Sequence, residues 1–371
     1  MTKALIAMSG GVDSGVAACL MKEQGCHCIG VTMKLFQNED IGLSKEHSCC
    51  SLDDVEDARS VARRLSMPHY VFNFSDRFRE CVIDKFIGAY ESGVTPNPCI
   101  DCNRYLKFDK LFLRAKELGC GYVVTGHYAR IDRDDNSGRF LLKKGVDREK
   151  DQSYVLFSMT QEQLAHTRFP LGALTKTEVR RIAAEHGFIN AEKPESQDIC
   201  FVVKGRYADF IEEQTGRKYP EGDFVDADGR PIGRHRGIIH YTVGQRKGLG
   251  IAAGVPLYVS KIDPIRNTVV LGTEETLYTS KILVKDINMI SVPVLKEPKR
   301  FTVMTRYRGK ETSAAVRQID EDTLEIVFDT PQKAVAKGQA AVVYDGDIVV
   351  GGGTIEETEP ASLKRGTFKN A

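Results

Sequence analysis

The sequence predicts an α/β protein with an N-terminal doubly wound parallel sheet, a small central domain and a C-terminal β-barrel. Three observations carry this. Over the first 205 residues, short apolar runs alternate with amphipathic helical stretches, the signature of βαβ units. A glycine-rich loop follows the first apolar run and opens a helix. Beyond residue 205, Gly-rich turns and short β-type runs take over. The 371 residues, 42% hydrophobic and 28% charged, can build two or three cored domains and exclude wholesale disorder.

The elements follow in order. Residues 3–8 read as a buried strand, and a helix then runs to Gln24 with Gly25 as its stop. A second strand spans 28–36. Ser51-Leu52-Asp53-Asp54 is a capping box for a helix through residue 65. Residues 69–74 form a third strand and 76–91 another helix. Pro96, Pro98 and Gly93 break both helix and strand over 93–98, so the next helix starts at about 103 and runs to 118. A fourth strand, 122–125, ends in Gly126-His127. Thr175-Lys176-Thr177-Glu178 is a second capping box, and its helix stops at Gly187. The β-type runs fall at 257–262, 268–271, 301–307, 323–328 and 340–344. Boundaries near 205 and 285 divide the chain into 1–205, 206–285 and 286–371, with a frayed tail in the last dozen residues.

With 52 Lys and Arg against 51 Asp and Glu, the net charge is +1, which excludes a uniformly basic coat but not local patches. Two runs carry cations without an acid: Arg230, Arg234, Arg236, Arg246 and Lys247, then Lys299, Arg300, Arg306, Arg308 and Lys310. Such runs suit a phosphate backbone. No apolar run approaches membrane-spanning length and the N-terminus lacks a signal peptide, so a cytoplasmic protein without a membrane partner is expected. In that compartment ten cysteines point to catalysis or metal rather than structural disulfides. Cys19, Cys26, Cys28, Cys81 and Cys120 sit among apolar residues and read as core. Cys49, Cys50, Cys99, Cys102 and Cys200 lie in polar, loop-like sequence.

The loop Ser9-Gly10-Gly11-Val12-Asp13-Ser14 has a physical use. Its glycines let the backbone approach a phosphate, the helix N-terminus supplies N–H donors, and Ser9 and Ser14 add hydroxyls. It lacks the Gly-Lys-Ser/Thr ending of a Walker loop, so it suits a pyrophosphate leaving group and attack at the α phosphate of ATP. Asp13 could help hold Mg²⁺ there.

Ser9 to Ser14 resembles the pyrophosphate loop of the PP-loop ATP pyrophosphatases. Further residues narrow the resemblance to the tRNA-specific 2-thiouridylases: Thr95-Pro96-Asn97-Pro98, Cys102-Asn103, Lys107-Phe108-Asp109, Thr125-Gly126-His127-Tyr128, Lys150-Asp151-Gln152-Ser153-Tyr154, Glu195 to Phe201, and Tyr241 to Gly250. The resemblance implies an adenine nucleotide alpha hydrolase-like fold and 2-thiolation of the wobble uridine of tRNA. It implies ATP contacts at Ala7, Met8, Ser9, Gly10, Gly11, Val12, Asp13, Ser14, Met33 and Gly126. It also carries a nucleophile role to Cys102, a persulfide role to Cys200, target-base contacts to Asn97, Pro98 and position 99, and tRNA contacts to His127, Lys150, Asp151, Gln152, Arg306, Tyr307 and Gln339. Implied partners are tRNA and a sulfur donor or relay protein, with no DNA.

Position 99 departs from the family's usual Asp. An ordinary thiol titrates near 8.5 rather than near 4, so a carboxylate's acid–base role does not transfer unchanged to Cys99. The change creates a C-x-x-C pair, Cys99 and Cys102, with Cys200 as a third thiol. Two mechanisms stay open: a persulfide relay through Cys200 and Cys102, ending in a disulfide or in hydrosulfide attack, or a [4Fe–4S] cluster on Cys99, Cys102 and Cys200. Zinc and idle thiols are weaker alternatives, as are a small-metabolite ligase and a non-catalytic carrier. Cys49 and Cys50 read as unemployed.

Overall fold

The computed structural model describes residues 2–36, 52–193, 199–202 and 206–361. Cys49, Cys50, the Ser51 capping residue, Glu195 to Asp198 and the C-terminal tail lie outside the described residues.

A five-stranded, wholly parallel sheet forms the N-terminal part. It comprises β1 (Lys3–Ala7), β2 (His27–Lys34), β3 (His69–Asn73), β4 (Tyr122–Val124) and, after a β5–β6 hairpin described below, β7 (Thr167–Arg168), in the order β3-β2-β1-β4-β7. Ala4, Leu5 and Ile6 of β1 are completely buried, which is why a central parallel strand reads as an unbroken apolar run. On one face lie α1 (Val12–Glu23) and α2 (Leu52–Arg64). On the other lie α3, residues 75–91, and α4, residues 98–117. Both contain π-helical stretches, at Arg79–Ile83 and Cys102–Lys110. The start of α4 corrects the expected boundary. Pro98 is its first residue, where a missing N–H costs nothing, so Cys99 and Cys102 stand on a helix rather than a loop.

Helices α5 (Gln161–Ala165) and α6 (Lys176–Glu185) complete this part. The predicted capping box is formed: Thr175 and Glu178 exchange side-chain and backbone bonds. Of the five cysteines expected in the core, Cys19, Cys28, Cys81 and Cys120 are buried and Cys26 is half-buried.

The central part opens with α7 (Tyr207–Thr215), a helix the β-type reading of this region did not include. Its sheet has the order β10-β11-β8-β9, from β8 (Gly222–Val225), β9 (Pro231–His235), β10 (Tyr258–Asp263) and β11 (Thr268–Gly272). Six further strands close a barrel: β12 (Tyr278–Met289), β13 (Lys299–Met304), β14 (Thr312–Gln318), β15 (Leu324–Lys333), β16 (Ala340–Asp345) and β17 (Ile348–Pro360). They run β12-β15-β14-β13-β16-β17, and β17 pairs back to β12. The hairpin of β5 (Ala129–Arg133) and β6 (Phe140–Lys144) leaves the N-terminal part and joins the barrel sheet where Lys143 meets Ile348.

Candidate active site

The glycine loop is built by close backbone contact. Gly10 has φ +75°, and a Cβ there would lie 2.4 Å from the Asp54 carbonyl oxygen. Gly11, the N-cap of α1, has no side chain to cap it, so among the described residues the helix presents N–H groups free for an anion. The Ser14 hydroxyl donates to the Gly11 carbonyl at 3.0 Å and accepts from the Ser9 N–H at 3.2 Å. It therefore holds the loop's shape, while Ser9 is exposed. A Cβ on Gly126 would sit 2.8 Å from the Asp13 carbonyl carbon, so the end of β4 lies flat on the loop. From β1 the chain order runs outward through β2 and β3 on one side and to β4 on the other. This switch point is where open α/β sheets bind ligands.

Sequence reasoning missed Lys176. Its ammonium sits 2.7 and 2.9 Å from the two carboxylate oxygens of Asp13, and the Tyr128 hydroxyl donates to the same carboxylate at 2.8 Å. Lys176 is only 9% exposed. One signal was available: a lysine at the first position of a helix opposes the macrodipole, unless it serves an anion outside the helix. Lys176 therefore competes with any Mg²⁺ for the Asp13 carboxylate.

Cys102 and Cys200 border one continuous aromatic and aliphatic core, and Ala7 and Met33 border it too. Phe201 plugs the Cys200 segment into that core. It is 1% exposed and meets Phe78 and Phe86 edge-on, with ring centroids 5.6 and 5.3 Å away. Cys99, one helical turn before Cys102, is exposed and does not border that core. The surrounding protein nevertheless pushes its thiol above the ordinary range, which Lys107 only partly offsets. Asp101 cannot stand in for the missing carboxylate. It faces α3, 3.7 Å from Lys85, and desolvation raises it to about 6. Among the described residues, the ligand atoms that gather within 4.8 Å of one another are those of Cys19, Glu23 and His186, not the three nominated thiols.

Most residues expected to touch RNA also bond within the fold. His127 is buried, bonded to Thr125 at 2.6 Å and 3.5 Å from the Lys107 ammonium; desolvation and that cation hold its imidazole well below the usual value. Asp151 accepts from the Gly145 and Ser153 N–H groups and the Ser153 hydroxyl. Gln152 accepts the Tyr128 N–H at 3.0 Å, and Gln339 donates to Thr95 and Pro96. Lys150 is half-buried and Arg306 exposed. Tyr307 lines a recess of about 640 Å³ between the N-terminal part and the barrel, shared with Asp151, Tyr154 and Arg308.

The acid-free runs are not acid-free in space. Arg230 pairs with Asp228 at 2.9 Å, Arg234 with Asp223 at 2.9 Å, Lys299 with Asp345 at 3.4 Å and Arg300 with Asp329 at 2.6 Å. Neighbouring strands and turns supply these acids, so the expected uniform patches shrink. Arg236, Arg246, Lys247, Arg306, Arg308 and Lys310 remain exposed.

Three family models match successive stretches: the tRNA methyl transferase HUP domain over residues 2–204, the tRNA methyl transferase PRC-barrel domain over 208–273 and the aminomethyltransferase beta-barrel domain over 279–355. The tRNA-specific 2-thiouridylase MnmA of Clostridioides difficile (strain 630) is 51% identical over 96% of this chain and 98% of its own. Its counterpart in Acetivibrio thermocellus is 51% identical over 95% and 99%. Among solved structures, a 4-thiouridine synthetase–RNA complex with bound ATP is similar over 58% of this chain and 50% of that chain, at 20% identity and a TM-score of 0.35.

Proposed function

This chain belongs to the tRNA-specific 2-thiouridylase family, and from that premise we propose that it is an ATP-dependent tRNA-uridine 2-sulfurtransferase acting on the wobble uridine. The observation that carries the reading is a convergence. Ala7, which ends β1 just before the glycine loop, and Met33 of β2 border the same extended core as Cys102 and Cys200, which are far apart in sequence.

The uncapped N-terminus of α1 receives the phosphates of ATP. Uridine O2 attacks the α phosphate as its N3 proton is lost to solvent, the O2–P bond forms, and pyrophosphate leaves with the electron pair of the broken anhydride bond; N3 regains a proton when the thiouridine is released. Lys176 moves from Asp13 toward the departing pyrophosphate and stabilises its growing charge. A wobble uridine lies in a single-stranded loop, so presenting it to Asn97 and Pro98 costs little unstacking.

Cys200 carries the sulfur as a persulfide loaded by a sulfur-donor protein. The terminal sulfur attacks C2 and AMP leaves with the C2–O2 bonding pair. Cys102 then attacks the Cys200 sulfur, forming a Cys102–Cys200 disulfide and freeing the thiouridine. An external thiol reductant resets the pair. Among the described residues the three thiols do not gather their sulfur atoms within 4.8 Å of one another, which supports this two-thiol relay over a cluster that needs three thiolates.

The test is direct. Full-length protein with ATP, a persulfide donor and unmodified tRNA is assayed for pyrophosphate release and for the mass of the digested nucleosides. Release that requires tRNA, with sulfur replacing oxygen in one uridine, is expected. Release without tRNA and no modified nucleoside would point to a small-metabolite ligase.

A further inference from the structure

The barrel holds the segment that precedes α4. The side-chain amide of Gln339 donates to the carbonyls of both Thr95 and Pro96, each at 3.0 Å. The Thr95 N–H in turn donates to the Lys337 carbonyl at 3.0 Å. Between these two residues, Gly338 has φ +83°, and a Cβ there would lie 2.2 Å from Val94 Cγ1 and 3.0 Å from the Thr95 oxygen. No other residue fits without opening the contact. The barrel side is itself fastened: Gly338 N–H donates to Ile355 O at 2.9 Å, and Ile355 N–H to Gln339 O at 2.8 Å, both on β17.

The held segment needs this. Pro96 and Pro98 have no N–H, and the Asn97 side chain makes no capping bond to α4. Little within the segment itself can fix the path from Val94 to Pro98. A primary amide has two N–H donors, which matches the two carbonyls that Gln339 Nε2 reaches.

We propose that Gln339 is a positioning residue, by which the C-terminal barrel sets the backbone that presents Asn97 and Pro98 to the incoming base. The role of those two residues rests on the function proposed above; the latch itself does not. It follows that the barrel acts on the rate of the chemical step and not only on the capture of tRNA.

Gln339→Ala and Gln339→Glu in the full chain provide the test, with two readouts. The first is amide hydrogen exchange of the peptide covering residues 93–97. The second is the single-turnover thiolation rate at saturating tRNA, set beside the tRNA Kd. Gln339→Ala should speed exchange at Thr95 and lower the saturating rate by up to about 100-fold, since misplacement by roughly 1 Å costs that much. The loss in saturating rate should exceed any loss in tRNA affinity. Gln339→Glu should be worse than Ala, because a carboxylate would face two carbonyl oxygens. Unchanged exchange would overturn the latch even if the protein thiolates no tRNA. A weakened Kd with an unchanged saturating rate would make Gln339 an RNA contact instead.

Discussion

The ammonium of Lys176 grips both carboxylate oxygens of Asp13, at 2.7 and 2.9 Å, across the mouth of the glycine loop. A Walker loop carries its lysine within the motif; here the cation arrives from the start of α6. Because Tyr128 also binds Asp13, at 2.8 Å, the carboxylate keeps one partner when the lysine leaves. Lys176→Ala should therefore fold, with the Thr175–Glu178 capping box intact, yet lose about 10²–10³-fold in the rate of pyrophosphate release. Circular dichroism and a tRNA-dependent pyrophosphate assay check both halves. A full-rate variant would remove Lys176 from the chemistry.

His127 predicts a pH slope in stability. Its buried imidazole, beside Lys107, stays neutral in the folded state, whereas the unfolded chain takes up a proton near pH 6.5. Below that pH the unfolded state binds more protons, so the contribution of His127 is fully present above about 6.5 and is lost as pH falls, by about 1.4 kcal/mol per unit. Urea midpoints between about pH 7 and 5 should show a flatter slope for His127→Gln than for the wild type. Parallel slopes would mean that His127 is protonated in the fold.

The thiols separate by position. Cys102→Ala and Cys200→Ala should each abolish thiolation while leaving pyrophosphate release measurable, because adenylation precedes sulfur transfer. Cys99→Ala should retain thiolation, since Cys99 does not border the core that the other two share. Iron and acid-labile sulfide in anaerobically purified protein provide the control. Stoichiometric iron that disappears with Cys99→Ala would restore the cluster mechanism.

What the sequence makes legible follows from burial. β1, β2 and β4 are readable because strands buried on both faces are dominated by near-continuous apolar runs. β17 escapes notice because Ile348–Pro360 mixes three consecutive glycines with glutamates and becomes a strand only by pairing on both edges. The glycine loop is legible since its geometry is local. The Lys176–Asp13 pair, the Gln339 latch and the acids that neutralise Arg300 and Arg234 are not, because each partner comes from a distant segment.

Phe201 ties the position of Cys200 to stability. Truncation to Ala should cost about 3–5 kcal/mol, the usual range for a fully buried aromatic. It also removes the ring that anchors the adjacent thiol, so alkylation of Cys200 should accelerate under native conditions, before global unfolding. Mass spectrometry of partially alkylated protein, read against urea denaturation, distinguishes the two effects. Loss of stability without faster labelling would mean that other contacts hold the Cys200 segment.

Pairing also decides which cations should matter for RNA. Arg300 already has Asp329 at 2.6 Å, so releasing it to a phosphate breaks one ion pair to make another. Arg306 is exposed, next to Tyr307 at the recess, and can neutralise a phosphate outright. Each such contact contributes about one to the slope of log K against log salt. Arg306→Ala should thus flatten the salt dependence of tRNA binding by about one, and Arg300→Ala should leave it unchanged. Binding isotherms across a salt series measure both. Equal slopes for the two variants would show that proximity in sequence, not freedom from acids, selects the RNA-binding residues.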